Sequence, residues 1–145
     1  MPSDPYNLNR FVQAQENAYP AALRELQNGQ KRSHWMWFIF PQIQGLGFSP
    51  TAQYYAVESV DEARAYLAHP LLGPRLTECT ATVNAVEGKS LVQIFGYPDH
   101  LKFRSSMTLF ELAAGKDSEF SKALDKHCSG ERDQATQDIA RASGR

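Results

Sequence analysis

The chain has 145 residues, which suits one compact domain burying about 68–70% of its unfolded surface and excludes two large ones. Its composition, 42% hydrophobic and 21% charged, excludes a disordered or fibrous protein. The net charge of -1 provides no bulk field for nucleic acid or an anionic membrane, so any basic site must be local.

Residues 1–6 hold two prolines and no periodicity; they read as a flexible arm ahead of a single helical domain over 7–142, with 143–145 as a tail. No basic stretch followed by an apolar one opens the chain, and the longest apolar run, Trp35 to Phe40, is six residues, far short of a membrane span. Cys79 and Cys128 are too few for a disulfide framework. Both lie on apolar helical stripes, so they are expected to be reduced and buried, in a cytoplasmic protein.

A first helix is predicted after an Asn7 cap, with Leu8, Phe11, Val12 and Gln15 on one side, stopping near Tyr19. Pro20 suits the first turn of a second helix that Asn28-Gly29 stops, which makes a helical hairpin. Ser33 is read as the cap of a short segment through Phe40, apolar at both helical and strand periods; helical neighbours favour a short buried helix ended by Pro41. A loop over 42–50 and an ambiguous stretch over 51–57 follow. Ser59 caps a helix with Asp61 and Glu62 in its first turn, ending at His69-Pro70.

Leu72, Leu76, Cys79, Val83 and Val86 form the clearest helical stripe, with Gly88 as its stop. Ser90–Phe95 is a short helix or turn closed by Gly96, and Asp99–Ala114 a long helix ended by Gly115. Ser118 or Asp117 caps another with Phe120, Leu124 and Cys128, and Asp133 caps the last, reaching Ala142. Strand alternation is weak throughout, so the predicted fold class is all-α, with short to medium helices packed orthogonally rather than as a bundle.

Neither paired cysteines nor a His-Glu-x-x-His helix occurs, so no metal and no cofactor is expected. No nucleophile elbow is present, and His127 and Cys128, adjacent on a helix, point about 100° apart. The Gly45/Gly47 pair lacks the rest of a phosphate loop and reads as a turn. Seven of the 16 aromatics fall between Trp35 and Tyr55; most must be core, and any that face a cleft would form a stacking platform for a flat ligand.

On a helical wheel the segment from Asp99 places Phe103, Met107, Phe110 and Ala114 on one arc and Leu101, Leu109 and Leu112 opposite. Burial of both arcs would leave Lys102 and Arg104 on narrow strips near a helix N-terminus, where cations are unfavourable without an anion or a carboxylate. Asp99 and Glu111 are the internal partners the sequence offers; a ligand phosphate or carboxylate is the functional one.

The segments Lys31-x-Ser-His-Trp-Met-Trp-Phe-Ile-Phe-Pro-Gln42, Gly45-Leu-Gly47, His69-Pro-Leu-Leu-Gly-Pro-Arg-Leu76, Phe95-Gly96, Lys102-Phe-Arg-Ser-Ser-Met-Thr-Leu-Phe110 and Asp133-x-x-Thr136 together resemble a bacterial family, domain of unknown function 1810, over about residues 7 to 139. The resemblance implies a compact all-helical cytosolic domain and no established activity, cofactor or catalytic residue. Some members carry the label calpastatin, whose inhibitory repeats are disordered, whereas this composition is globular.

The functional expectation is a pocket collecting Lys31, His34, Trp35, Trp37, Gln42, Tyr54, His69, Arg75, Lys102 and Arg104 around an anionic, nucleotide-like or sugar-phosphate-like small molecule, with His34 the candidate acid or base. A second reading is a protein-interaction module using the aromatics from Phe48 to Tyr55 and the last helix. A third, by analogy alone, is hydrolysis of an N-glycosidic bond in ADP-ribose-like metabolites.

Overall fold

The computed structural model describes residues 4–143. Among them are nine helices: α1 (Asn9–Gln27), α2 (Met36–Ile39), α3 (Pro50–Tyr54), α4 (Val60–Ala68), α5 (Leu72–Ala85), α6 (Leu91–Phe95), α7 (Asp99–Ala114), α8 (Glu119–His127) and α9 (Gln134–Ser143). The fold is all-α, as the weak strand alternation predicts. One isolated parallel bridge, Ile43 to Val57, ties the two ends of the loop around α3 together. No described helix is long and apolar enough to cross a membrane.

α5 and α7 form the centre. α4 and α8 pack against both, α1 covers α5, and α6 and α9 lie on α7. The stripe Leu72, Leu76, Cys79 and Val83 is wholly buried, as is the α7 arc of Phe103, Met107 and Phe110. Phe40 sets its ring edge-on against Phe95 and Phe103, with Trp35 beside it, which roots α2 in the core. The α4–α5 corner is tight: a Cβ on Gly73 would stand 2.0 Å from the Leu67 carbonyl oxygen.

Several caps follow the sequence. Ser59, Ser90 and Ser118 each accept a backbone N–H three residues on, and Ser90 with Gln93 completes a capping box. Asp133 accepts both the amide and the hydroxyl of Thr136, at 3.1 and 2.6 Å, and thereby starts α9. Gly45 adopts φ +107° in its turn, and Gly47 leaves no room for a Cβ, which would lie 2.6 Å from that of Ala52.

Four expectations are corrected. Pro20 does not divide the first two predicted helices; it sits inside the continuous α1. Proline removes the N–H that the Glu16 carbonyl would accept, at a cost of about 3 kcal/mol, but Glu16 and Pro20 are both exposed, so water can take that place, and burial of Phe11, Gln15, Ala22 and Leu26 on the other face keeps the helix whole. Asn7 is not the α1 cap. It adopts φ +52°, and Asp4 instead accepts from the amides of Leu8 and Asn9 at 2.7 and 3.0 Å, so residues 4–6 of the expected arm are tied to α1; residues 1–3 lie outside the described chain, as do 144 and 145 of the expected tail. Ser33 does not cap α2: Trp35 holds the cap position and makes no side-chain capping bond, and the Ser33 hydroxyl goes to Glu25. Finally, α7 is not apolar on two sides. Of the second arc only Leu109 is buried, Leu101 and Leu112 being exposed, whereas Ser105, Ser106, Thr108 and Glu111 are buried; Ser105 and Thr108 bond to Asp133, and Glu111 to Ser121 and Arg132.

Candidate functional site

α1 ends at Gln27 with Asn28 in the cap position, and Gly29 with φ +69° turns the chain back along the helix. The returning segment passes over Glu25, one turn from the helix end. Glu25 Oε1 accepts from the Arg32 amide (2.8 Å), the Ser33 amide (3.0 Å) and the Trp35 indole (2.8 Å), and Oε2 from the Ser33 hydroxyl. Desolvation would raise its pKa, but these four donors outweigh it and hold the carboxyl near 2. One carboxylate therefore fixes the segment that carries Lys31, His34 and Trp35.

So held, Lys31 reaches the start of α7. Its Nζ lies 3.0 Å from Asp99 Oδ2, with the side chain only 9% exposed, and 5.2 Å from the Trp35 ring centroid. Lys102, one turn into α7, places its Nζ 3.4 Å from Asp99 Oδ1 and 5.3 Å from the half-buried Trp37 ring. Two ammoniums thus share one carboxylate between two indoles, a local excess of one positive charge beside a partly open aromatic face. An ammonium over an indole is itself favourable by about 0.5–2 kcal/mol, so the rings position the lysines as well as flank them.

Lys31, Trp35, Trp37 and Lys102 are therefore brought together; the other expected residues lie elsewhere or serve local structure. His34 is exposed in the same segment. The Gln42 carbonyl accepts the Val57 amide in the isolated bridge. His69 Nδ1 accepts the amides of Leu71 and Leu72, at 3.1 and 3.3 Å, capping α5. Arg75 lies over the Tyr19 ring at 4.6 Å and reaches Gln15 at 3.4 Å, beside the Tyr19 hydroxyl that donates to Glu78. Tyr54 is 54% exposed and its carbonyl accepts from Arg10. Arg104 points away from Lys102, toward Glu131 and Asp133 at 3.7 and 3.8 Å.

The internal partners differ in the same way. Asp99 does pair with Lys102, but Glu111 pairs with Arg132, a residue the wheel could not bring into view because it lies beyond α8. Glu25 was also missed. Its signal was positional: an acid one turn before a glycine stop faces whatever chain returns over that stop. Among the described residues no group of three His, Cys, Asp or Glu side chains could hold a metal ion.

Among curated proteins none matches the chain. A solved structure does: the conserved hypothetical protein Rv1873 from Mycobacterium tuberculosis is similar at 51% identity, with a TM-score of 0.93 over 95% of this chain and 99% of that one. The family model for proteins of unknown function designated DUF1810 matches residues 5–140. The segments it spans include both the lysine–tryptophan cluster and the Asp133–Thr136 cap, and the chain belongs to the DUF1810 family.

Proposed function

We propose that the chain is a cytoplasmic binding protein for a small anionic ligand with a flat ring, of the nucleotide or sugar-phosphate kind, recognised by Lys31, Lys102 and Trp37. The observation that carries this reading is the sharing of Asp99 by two ammoniums: one carboxylate neutralises one of them, and an incoming oxyanion would complete the charge balance while its ring stacks on the half-open indole. Two free cysteines suit a reducing compartment. A thermal-shift series with ADP-ribose, nucleoside phosphates and sugar phosphates tests it. At millimolar ligand at least one should raise Tm, and Lys102→Met should abolish the rise; no rise with any of them rejects the reading.

A second reading has its own observation. Phe48 is 80% exposed and Tyr54 54% exposed, on the loop and helix that the Ile43–Val57 bridge closes. Two large neighbouring aromatics left in solvent suit a protein partner. Phe48→Ser together with Tyr54→Ser should then abolish co-purification of a defined partner without lowering Tm; an unchanged set of co-purifying proteins removes it.

A further inference from the structure

Arg75 stands apart from the other arginines that the fold buries or half-buries. Arg10, Arg104 and Arg132 each have at least one carboxylate within ion-pair distance, whereas Arg75, half-buried near the start of α5, meets none among the described residues. Its charge is unmatched. The guanidinium lies over the Tyr19 ring, 4.6 Å from the centroid, and Nη1 reaches Gln15 Oε1 at 3.4 Å; the rest of the fork has no hydrogen-bond partner among the described residues. Those free N–H groups face solvent, because the buried polar atoms that lack a partner lie on Asn84, His100, Arg104 and Ser106 and not on Arg75.

The reason Arg75 stays unpaired is local. Residues three apart on a helix are neighbours, and Arg64, Lys102, Lys122 and Arg141 each meet the acid three residues before them. Arg75 has an acid three residues after it, Glu78, but that carboxylate accepts the Tyr19 hydroxyl instead. Burial, and after it the bond to Glu78, raise the Tyr19 pKa above the ordinary 10, so the phenol is protonated at neutral pH and donates. Gln15, 1% exposed, is fixed in turn. Its amide donates to the Phe38 carbonyl at 2.8 Å and to the Tyr66 hydroxyl at 3.1 Å, which leaves Oε1 turned to Arg75. A ring against one face, a buried amide at one corner and a carboxylate drawn off by Tyr19 hold the fork with its Nε–Nη2 edge open.

We propose that Arg75 anchors an oxyanion-binding site, taking the phosphate or carboxylate group of a small molecule on this open edge, and that Tyr19 is its positioning residue, which keeps Glu78 from closing on the fork. A planar fork that offers two parallel N–H bonds suits an oxyanion. Because the side chain is already held from two sides, little of its freedom is lost when the anion binds. The exposed Glu78 carboxylate at the Tyr19 hydroxyl repels any further negative group, so the site favours a compact anion over an extended polyanion. It shares no residue with the lysine–tryptophan cluster and does not rest on the reading of that cluster.

Nitrogen–proton correlation spectra of the full chain, titrated with inorganic phosphate and with acetate at constant ionic strength, test the proposal. At least one of the two anions should saturate at millimolar concentration, moving the Arg75 Nε–H signal and the amides of residues 15–19 and 72–79. Arg75→Gln should weaken this binding at least about tenfold. Tyr19→Phe keeps the ring against the guanidinium but frees Glu78, and should weaken binding about threefold; adding Glu78→Gln to it should restore the affinity, since the released side chain then carries no charge. A purely structural role for the Tyr19 hydroxyl gives no such rescue. Glu78→Gln alone, a change at an exposed position, should strengthen binding about twofold, and Lys102→Met should leave it within about twofold, since separate sites act additively. Shifts confined to residues 31 and 99–102 would reject this site and leave the lysine–tryptophan reading standing. No saturation at the Arg75 signal, shifts that survive Arg75→Gln, wild-type binding in Tyr19→Phe, or a loss there that Glu78→Gln does not restore would each overturn the proposal.

Discussion

Arg10 Nη2 lies 2.9 Å from Glu62 Oε2, with the two side chains 7% and 2% exposed, and every N–H of the guanidinium is used. Nε donates to the Tyr54 carbonyl, Nη1 to those of Tyr6 and Asn7, and Nη2 to that of Ala56 as well as to Glu62. Glu62 Oε1 accepts the Glu58 amide. This pair fixes the end of α3 and the chain entering α4 against the start of α1. Arg10→Met leaves Glu62 buried and alone, and removing one partner of a buried pair typically costs ~3–5 kcal/mol. Urea denaturation should show a loss in that range, and a loss below about 1 kcal/mol would mean that the pair is not buried in solution. Arg10→Met with Glu62→Leu should recover part of it, because no uncompensated charge then remains.

Neither Arg10 nor Glu62 stood out in the sequence as core, and the reason is general to charged residues. Periodicity reports apolar faces, and a buried guanidinium interrupts such a face rather than extending it. What was legible were the stripes and stops: the α5 stripe from Leu72 to Val83, the capping Ser59, the cap at Asp117 or Ser118, which falls to Ser118, and Gly96 and Gly115 at helix ends. These depend on neighbours within one or two turns. Pro20 misled because its effect depends on which side of α1 faces solvent, a tertiary fact. The candidate site divided for a similar reason. Lys102 and Arg104 are two residues apart, which on a helix sends them to opposite faces, and only packing decides that Lys31 and Trp37 meet the one while α8 and Glu131 meet the other.

Stability should fall on acidification in two stages. His127 is partly buried, and that desolvation lowers its pKa below the ordinary 6.5 despite its bond to the Val83 carbonyl. The unfolded chain therefore binds this proton at a higher pH than the folded one, so ΔG of unfolding decreases as pH drops through about 6.5 and levels off below the folded value. Glu25, held near 2 against an ordinary 4.5, contributes stability that is complete above about 4.5 and is lost as pH falls toward 2. Tm measured from pH 8 to pH 3 should show both declines. His127→Gln should flatten the first alone, and a profile equally steep between pH 7 and 5.5 in that variant would refute the assignment.

Both thiols should be unreactive in the native state. Burial pushes Cys79 up to about 12 and Cys128 to about 11, so little thiolate is present at neutral pH. Cys79 is wholly buried on the α5 stripe, while Cys128 is half-buried just past α8. A maleimide or disulfide reagent should modify both slowly at pH 7.5 and quickly in denaturant, with Cys128 the faster of the two in the folded protein. Immediate native labelling of Cys128 would show that its thiol is activated and would reopen a nucleophilic role.

The shared carboxylate decides whether the lysine pair is structural or receives a ligand. Lys102→Met leaves Asp99 bonded to Lys31, and because Lys102 is partly exposed its loss should cost no more than about 1 kcal/mol. Asp99→Asn is the sharper change, since it leaves two ammoniums facing each other without a counter-charge and should lower Tm. If the pair accepts an oxyanion, phosphate no longer competes with an internal carboxylate in this variant and binds it more tightly than wild type. Ligand that binds only the folded state stabilises it by RT ln(1 + [L]/Kd), about 2.7 kcal/mol at a hundredfold excess over Kd. Tm of Asp99→Asn should therefore climb more steeply with inorganic phosphate than that of the wild type, at constant ionic strength set with chloride. If the two lysines serve only to hold α7 against the segment before α2, Asp99→Asn loses stability just the same, but the two phosphate curves run parallel, and that result would reject the anion site.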